Sequence, residues 1–480
     1  MNRVTYRFGP LERRGILGPV RTGQAAILAG AVLLAILVLD RVPSVAGVTA
    51  ATVLVAVAVV VAVAPVGTRT AEEWMPVIAT FALRRVSGRA RFRSGLPLQG
   101  FAGRRRPAPA VPPGLRGVEI RELAYRNRTV GAISERHGRW ITAVLACRVA
   151  AFSLLDADAQ ERRLARWGVV LSSAAGTTVR RIQWIERTAP AQGDELARWL
   201  HAERDPSMPP RGTPMIESYL ELIGTTARVT QEHEILLAVQ VDARRAGTTA
   251  LLEQTERVAQ GLEAAEVTVL GALTSGQLAR ALRTAFDPYA RAELAALETA
   301  DPERDGLDEW GAWPLGANEA WDNYQSDGAV HATYWIGAWP RIDVSPMFMD
   351  ALLGRSSSVR TVAVCFEPVA PARSTRDVEA AVTRDRADRD LRRRFGQTDT
   401  ARQRQAEEAT TRRESELAAG HGEVRLAGFV TVSGRDLDDL RRSCAEVLEH
   451  AARARLELHR LYGQQADAFT FTLPLCRGLK

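Results

Sequence analysis

GQAAILAGAVLLAILVL at Gly23–Leu39 and SVAGVTAATVLVAVAVVVAVA at Ser44–Ala64 hold no charged residue. At 17 and 21 residues, and about 1.5 Å of rise per residue, each run is expected to cross a bilayer's hydrocarbon core as a helix. Asp40, Arg41, Val42 and Pro43 alone separate them. A gap that short predicts a tight hairpin with both outer ends on one side. The arginines choose the side: Arg3, Arg7, Arg13, Arg14 and Arg21 precede the first run, and Arg69, Arg84, Arg85, Arg89, Arg91 and Arg93 follow the second. The positive-inside rule then places the N-terminus and everything beyond Ala64 in the cytoplasm, making a two-span protein of the cytoplasmic membrane with both termini inside. A signal-peptide reading of residues 23–39 stands against the second full-length apolar run directly behind them. A buried hairpin of a soluble protein stands against the lack of any polar face. Ala26/Gly30 and Ala58/Ala62 are small-xxx-small pairs suited to packing the two helices.

Charge divides along the chain. Residues 1–117 carry 16 arginines against Glu12, Asp40, Glu72 and Glu73, a net of +12, whereas the whole chain is +7. Residues 118–480 are therefore net −5, which argues against nucleic-acid binding by the soluble part and leaves the basic excess beside anionic lipid. Lys480 is the only lysine, so the sequence has neither a G-x-x-x-x-G-K-[ST] phosphate loop nor a Schiff-base lysine within a domain. Cys147, Cys365, Cys444 and Cys476 form no C-x-x-C and are expected as small apolar core residues.

Composition and periodicity give the following organisation. Residues 1–93 form a membrane anchor, with an amphipathic interfacial helix at 71–86 (AEEWMPVIATFALRRV) whose first turn Pro76 is expected to disturb. Residues 94–117 are a Pro/Gly/Arg-rich linker. Residues 118–480 are expected as an α+β domain of repeated β-α-β, ferredoxin-like units, with helices on one face of a mixed sheet. The units fall at Trp140–Ala151, Asp156–Ser173 and Val179–Ile185; at His233–Val241, Leu251–Ala264 and Val267–Leu270; and at Val424–Val432, Asp436–Ala452 and Leu456–Leu461. Val359–Pro368 is expected as a further edge strand, and the Arg/Asp/Glu-dense stretch 373–419 as a charged helical hairpin.

No constellation carries obvious chemistry. Asp301, Glu303 and Asp305 with Gly306 have the spacing of a calcium loop, but Ala312 stands where a bidentate Glu is needed. His137, His201, His233, His331, His421, His450 and His459 show no zinc spacing. Trp310, Trp313, Trp321, Trp335 and Trp339 suggest a stacking platform, yet with few arginines nearby a packed core or a protein contact is the stronger expectation. No catalytic, cofactor-binding or metal residue is assigned, and no cofactor is expected.

The lead-in and hairpin, with GTRTAEEW at 67–74, resemble the PrgI/VirB-type small membrane subunit of type IV (conjugative) secretion systems. The remainder resembles the N-terminal, non-motor domain of the CagE/TrbE/VirB conjugative ATPase family. The matching stretches are WITAVLACRVAAFSLLDADAQERRLARWGVVL at 140–171, HEILLAVQV at 233–241, QTERVAQGLEAAEVTVLGALTSGQLARAL at 254–282, WPRIDVSPMFMDALL at 339–353, ESELAAGHGEVRLAGFVTVSG at 414–434 and QQADAFTFTLPL at 464–475. Taken whole, the chain is similar to a family of integral membrane proteins of high-GC Gram-positive bacteria that joins these two pieces. The ATPase family's phosphate loop would follow Leu475, so its nucleotide residues have no positions here to occupy. The resemblance thus implies a non-catalytic, membrane-anchored scaffold that recruits a separately encoded secretion ATPase and assembles with other membrane subunits and with copies of itself. Two other readings stay open. One is a membrane subunit of a type VII (ESX)-like system, and the other a membrane-tethered enzyme or nucleic-acid binder, which needs a polar cleft or basic groove.

Overall fold

The computed structural model describes residues 22–67, 69–95, 109–149, 152–190, 214, 217–218, 231–291, 293–294, 306–340, 342–354, 356–394 and 401–479. The lead-in 1–21 and most of the linker lie outside them. The described chain is mixed helix and sheet and divides into two units: residues 22–89 with 380–411, and residues 90–379 with 412–479.

The first unit begins with α1 (Thr22–Arg41) and α2 (Val45–Val63). Ser44 starts α2 by accepting a hydrogen bond from the Gly47 N–H at 3.3 Å, the usual way a helix satisfies its first free amides. Gly47 is required: a Cβ there would lie 1.9 Å from the Val42 carbonyl oxygen. The two helices meet along alanines, with Ala31 and Ala35 of α1 and Ala51 and Ala62 of α2 buried. Ala58/Ala62 thus lies toward the seam as expected. Ala26 faces outward and Gly30 has open space beside it, so α1 packs through a pair shifted by several residues. Near the open end of the hairpin, the Gln24 side chain donates to the Ala62 carbonyl at 2.8 Å.

A two-residue pairing of β1 (Pro65–Val66) with β2 (Arg69–Thr70) turns the chain into α3 (Ala71–Val86). The Glu73 carboxylate accepts from the Thr70 N–H at 3.1 Å and fixes the start of α3. Pro76 does not break the helix as expected. It forfeits one bond to the Glu72 carbonyl, and α3 runs on to Val86.

The second unit is built on one sheet. Its strands are β3 (Arg91–Arg93), β4 (Glu119–Tyr125), β5 (Arg128–Glu135), β6 (Trp140–Arg148), β7 (Val179–Pro190), β8 (Gln231–Asp242), β9 (Thr268–Ala272), β10 (Gly316–Glu319), β11 (Tyr324–Ser326), β12 (Ala329–Ala338), β13 (Val359–Pro368), β14 (Val424–Gly434) and β15 (Glu457–Arg460). The order is β3-β10-β11-β12-β14-β13-β7-β8-β6-β5-β4, with β15 also on β12 and β9 also on β6. Read from the β7/β13 join, this order is nearly the same in both directions.

The helices are α4 (Ala157–Ser173), α5 (Ala243–Ala264), α6 (Ser275–Phe286), α7 (Asp350–Leu353), α8 (Pro371–Arg394), α9 (Ala401–Ala418), α10 (Leu437–Arg453) and α11 (Gln465–Phe469). α4 joins β6 to β7, which run parallel with β8 between them, and α5 joins β8 to β9 around β6. α10 links β14 to β15 around β12 in the same manner. The charged hairpin is α8 and α9, inserted between β13 and β14. Arg389 and Glu407 pair across it, and at its root Arg425 bonds Asp377 at 2.8 Å.

Three expectations change. Every pairing in the sheet is antiparallel, so the sheet is not mixed. Each parallel pair of strands joined by a crossover helix is split by a third strand, which a pattern along the chain does not reveal. Val359–Pro368 is not an edge. It is an interior strand between β14 and β7, which is why Val362, Ala363, Val364 and Cys365 are all buried without alternation.

Nor are helices confined to one face. α4, α5 and α10 pack Val170, Val258, Leu262, Leu440 and Val447 against Ile182, Leu237, Val239, Val362 and Val430 on one side. α6 and the C-terminal segment pack Leu278, Leu282, Phe286, Phe469, Leu473 and Leu475 against Val144, Ile185, Leu236 and Ala363 on the other. The linker's last residues join that second core, with Leu115 buried in a 3-10 turn at Pro113–Leu115.

Candidate functional site

What the first unit offers is a surface rather than a pocket. Leu33, Leu34, Ile36 and Leu37 of α1, and Val53, Val57, Val59 and Val60 of α2, point outward, with Leu33 67% and Val53 61% exposed. Small residues fill the seam and large apolar ones face out, the reverse of a water-soluble hairpin. Both helices are long and apolar enough to cross a membrane, with mean hydropathies of 2.1 and 2.6 over the spans 23–41 and 45–62. α3 continues this surface with exposed Met75, Ile78, Leu83 and Val86. Their spacing makes one helical stripe, and Arg84 and Arg85 stand in its last turn.

In the second unit a set of polar side chains that enter the interior bonds the chain's own backbone. Gln183 of β7 donates to the Phe471 carbonyl at 2.8 Å and accepts from the Cys476 N–H at 2.7 Å. Arg181, two residues earlier on the same face, donates to Glu367 at 2.8 Å and to the carbonyls of Cys476 and Leu479 at 3.1 and 2.8 Å. Gln240 of β8 reaches the Leu475 carbonyl at 3.1 Å. Arg477 donates to Glu135 at 3.0 Å and to the Gly114 carbonyl at 2.8 Å, which offsets the burial that pushes the Glu135 carboxyl up. In the other half, Gln465 accepts from the Thr333 N–H at 2.8 Å, and Thr333, Thr431 and Thr472 form a hydroxyl chain. The C-terminal segment is thereby fastened to both halves of the sheet. Irregular backbone laid over a sheet must find partners for its amides and carbonyls, and these side chains supply them.

Buried charge is handled similarly. Arg187, 2% exposed, donates to Glu234 at 2.7 Å, to Thr284 at 2.6 Å and to the Ala281 carbonyl at 3.2 Å. Arg360 donates to the Gly354 carbonyl, while its Nε and Nη1 meet no partner among the described residues. Burial pushes both guanidinium pKa values down.

The described histidines form no metal-ligating group. His331 is fully buried, within 2.9 Å of Ser326 and 2.8 Å of Ser433, and its Nε2 lies 3.0 Å from the Phe286 carbonyl. Burial takes its pKa down to about 4, so it is a neutral core residue. His233 contacts Glu186 at 2.9 Å, and His459 packs on Trp335. His201 lies outside the described residues. Among those described, no group of three metal-ligating side chains occurs.

Asp301, Glu303 and Asp305 lie outside the described residues, and Asp308 caps the turn Glu309–Ala312 by accepting from the Gly311 N–H at 2.9 Å. The tryptophans are dispersed. Trp313 belongs to the core under α6, Trp339 to the core under α10, and Trp335 to a third cluster with Phe429 and Phe471. Trp321 is at the surface, stacked on Tyr462. These four make no common platform.

The cysteines sit as expected: all four are buried and free, and burial raises the Cys147 thiol to about 11 and Cys365 to about 12, which removes their nucleophilicity at neutral pH.

Sequence reasoning passed over Arg181, Gln183, Arg187 and Gln240. The signal was available in RRIQWIERT at 180–188, a strand carrying polar residues on the face where alternation calls for apolar ones. No family model matches the chain, and no curated protein matches it either.

Proposed function

We propose that this chain is a membrane-anchored scaffold subunit of a type IV (conjugative)-like secretion or DNA-transfer apparatus. In this reading α1 and α2 span the cytoplasmic membrane, α3 lies on its inner face, and the N- and C-termini are cytoplasmic. Each half of the sheet is a ferredoxin-like unit: β9-β6-β8-β7 in one and β15-β12-β14-β13 in the other follow that fold's strand order. The unit presents surfaces to a separately encoded ATPase and to further copies of the chain, and performs no chemistry of its own.

The observation that carries the reading is the inverted hairpin, whose large apolar side chains face outward over both helices. Water penalises that surface at roughly 25 cal/mol per Å², and lipid does not. The apparatus itself rests on the sequence resemblance.

The test has two stages. The chain should stay with membranes through alkaline carbonate extraction, and single cysteines placed at Arg41 and Ser415 should label from the outer and the cytoplasmic side respectively. Mild crosslinking in native membranes should then recover a secretion ATPase. Extraction by carbonate sinks the anchor, and recovery of a motor with three tandem ATPase domains moves the assignment to a type VII-like system.

A further inference from the structure

The near-symmetry of the sheet has one exception. About the β7/β13 join, β8 matches β14, β6 matches β12, β5 matches β11, β4 matches β10 and β9 matches β15. Among the described strands, β3 has no counterpart. It adds to the outer edge of β10, with Arg91, Phe92 and Arg93 opposite Asn318, Ala317 and Gly316. The equivalent outer edge of β4 carries no described strand.

Among the described residues, that edge has backbone groups without partners. Gly131 of β5 stands opposite Glu122 of β4, yet the Gly131 N–H donates to the Leu273 carbonyl at 2.8 Å, on the side away from β4. Glu122 and Gly131 are therefore a non-hydrogen-bonded pair, and the N–H and C=O of Glu122 point to the open side. The two-residue period gives Ile120 and Ala124 the same direction. The Ile120 rung lies beside the Glu309 carboxyl, which leaves Glu122 and Ala124 as the rungs without a backbone partner among the described residues.

β4 is seven residues long, whereas the outer edge of β3 is three residues with an arginine at each end, the short charged form that resists further pairing. The rim of β4 is acidic. Glu119 and Glu122 are exposed and Glu309 stands at one end. Arg121 takes Glu119 at 2.9 Å, and Glu122 accepts only from the Ser275 hydroxyl at 3.4 Å among the described residues.

We propose that the outer edge of β4 is a docking site for an extended, arginine-bearing segment of a partner protein, which adds as an antiparallel strand in the place that β3 occupies on β10. The backbone rungs at Glu122 and Ala124 supply affinity, and the Glu119/Glu122/Glu309 rim selects basic side chains. β3 shows the chemistry that the equivalent position accepts: alternate arginines about one aromatic residue.

The test uses the full chain in detergent and a labelled, end-blocked peptide GRARFRSG, the sequence of residues 88–95. Saturable binding is expected, with the Glu122 and Ala124 amides exchanging about tenfold more slowly when peptide is present. Ala124→Pro removes one outward N–H and no internal rung, so it should fold normally and weaken binding about tenfold or more. Glu122→Arg should weaken it about fivefold, more at low salt than at high. Glu122→Arg and the wild-type exchange pattern keep the test decisive should Ala124→Pro fail to fold. Absence of saturable binding, equal binding by both variants, or protection at Gly316–Glu319 instead of β4 overturns the proposal. So does a concentration-dependent dimer of the free chain that Ala124→Pro abolishes, since it would put a second copy on this edge.

Discussion

The hairpin and the sheet unit solve opposite problems with the same residue types. In α1 and α2 the contact between helices is made by alanine and the outside by leucine, isoleucine and valine. In the sheet unit the large apolar residues are inside, and among the polar groups that join them Arg181, Gln183, Gln240 and Gln465 bond backbone atoms of the chain. The difference shows that burial in this chain is decided by what each surface must meet, not by hydrophobicity alone. In the proposed membrane setting, close packing of small residues holds two helices together where the medium is as apolar as the side chains, whereas apolar burial holds a sheet together in water.

The comparison can be broken most directly at Val53, which faces outward midway along α2. Val53→Arg is expected to cost about 3 kcal/mol of membrane insertion and to shift the chain to the soluble or degraded fraction. A surface helix in water would accept it within about 0.5 kcal/mol, so an unchanged membrane fraction would overturn the contrast.

At the other pole is His331, neutral in the core because burial lowers its pKa to about 4. The unfolded chain holds a histidine near 6.5, so its stabilising contribution is complete above that pH and is lost as pH falls toward 4. The loss amounts to about 3 kcal/mol. Thermal unfolding followed from pH 7.5 to 4.5 should show it, and His331→Asn should flatten the slope in that window.

Gln183→Leu comes next. It leaves the Phe471 carbonyl and the Cys476 amide buried without partners, which should cost about 2 kcal/mol and release the C-terminal segment to proteolysis before global unfolding. A variant as resistant as wild type would show that the segment is held by its apolar residues alone. The smallest effect is expected for Leu33→Ala. It should change thermal unfolding of the sheet unit by less than about 0.5 kcal/mol, whereas a Leu deletion in the sheet core would cost about 2–5 kcal/mol.

Legibility in the sequence follows the same division. The hairpin was readable because apolar run length and the four-residue gap Asp40–Pro43 are local properties. So were α4 and α10, whose one-faced periodicity survives in the structure with Asp156 and Asp436 as N-caps; α5 was expected from Leu251 and begins at Ala243, with non-helical backbone at Gly247. The shift of the seam from Ala26/Gly30 to Ala31/Ala35 was not readable, because an alanine-rich helix offers several equivalent stripes. The buried partners of the C-terminal segment lie more than 230 residues away from Gln240 and more than 280 from Gln183, and no local pattern encodes such a pairing.

From the amino-acid order alone came the two long apolar helices, the division of charge between residues 1–117 and the rest, the alternation of strands with helices, and the lack of a phosphate loop. Each depends on residues within a few turns or strands of one another, and so survives without knowledge of the fold. Only the tertiary structure decided that the sheet is antiparallel throughout its described pairings, that Val359–Pro368 lies at its centre, and that one end carries an added strand with no described counterpart at the other. Strand order is a choice among long-range pairings of similar local energy. It is settled by which faces can be covered at once and which backbone groups find partners, and those quantities exist only when the whole chain is in place.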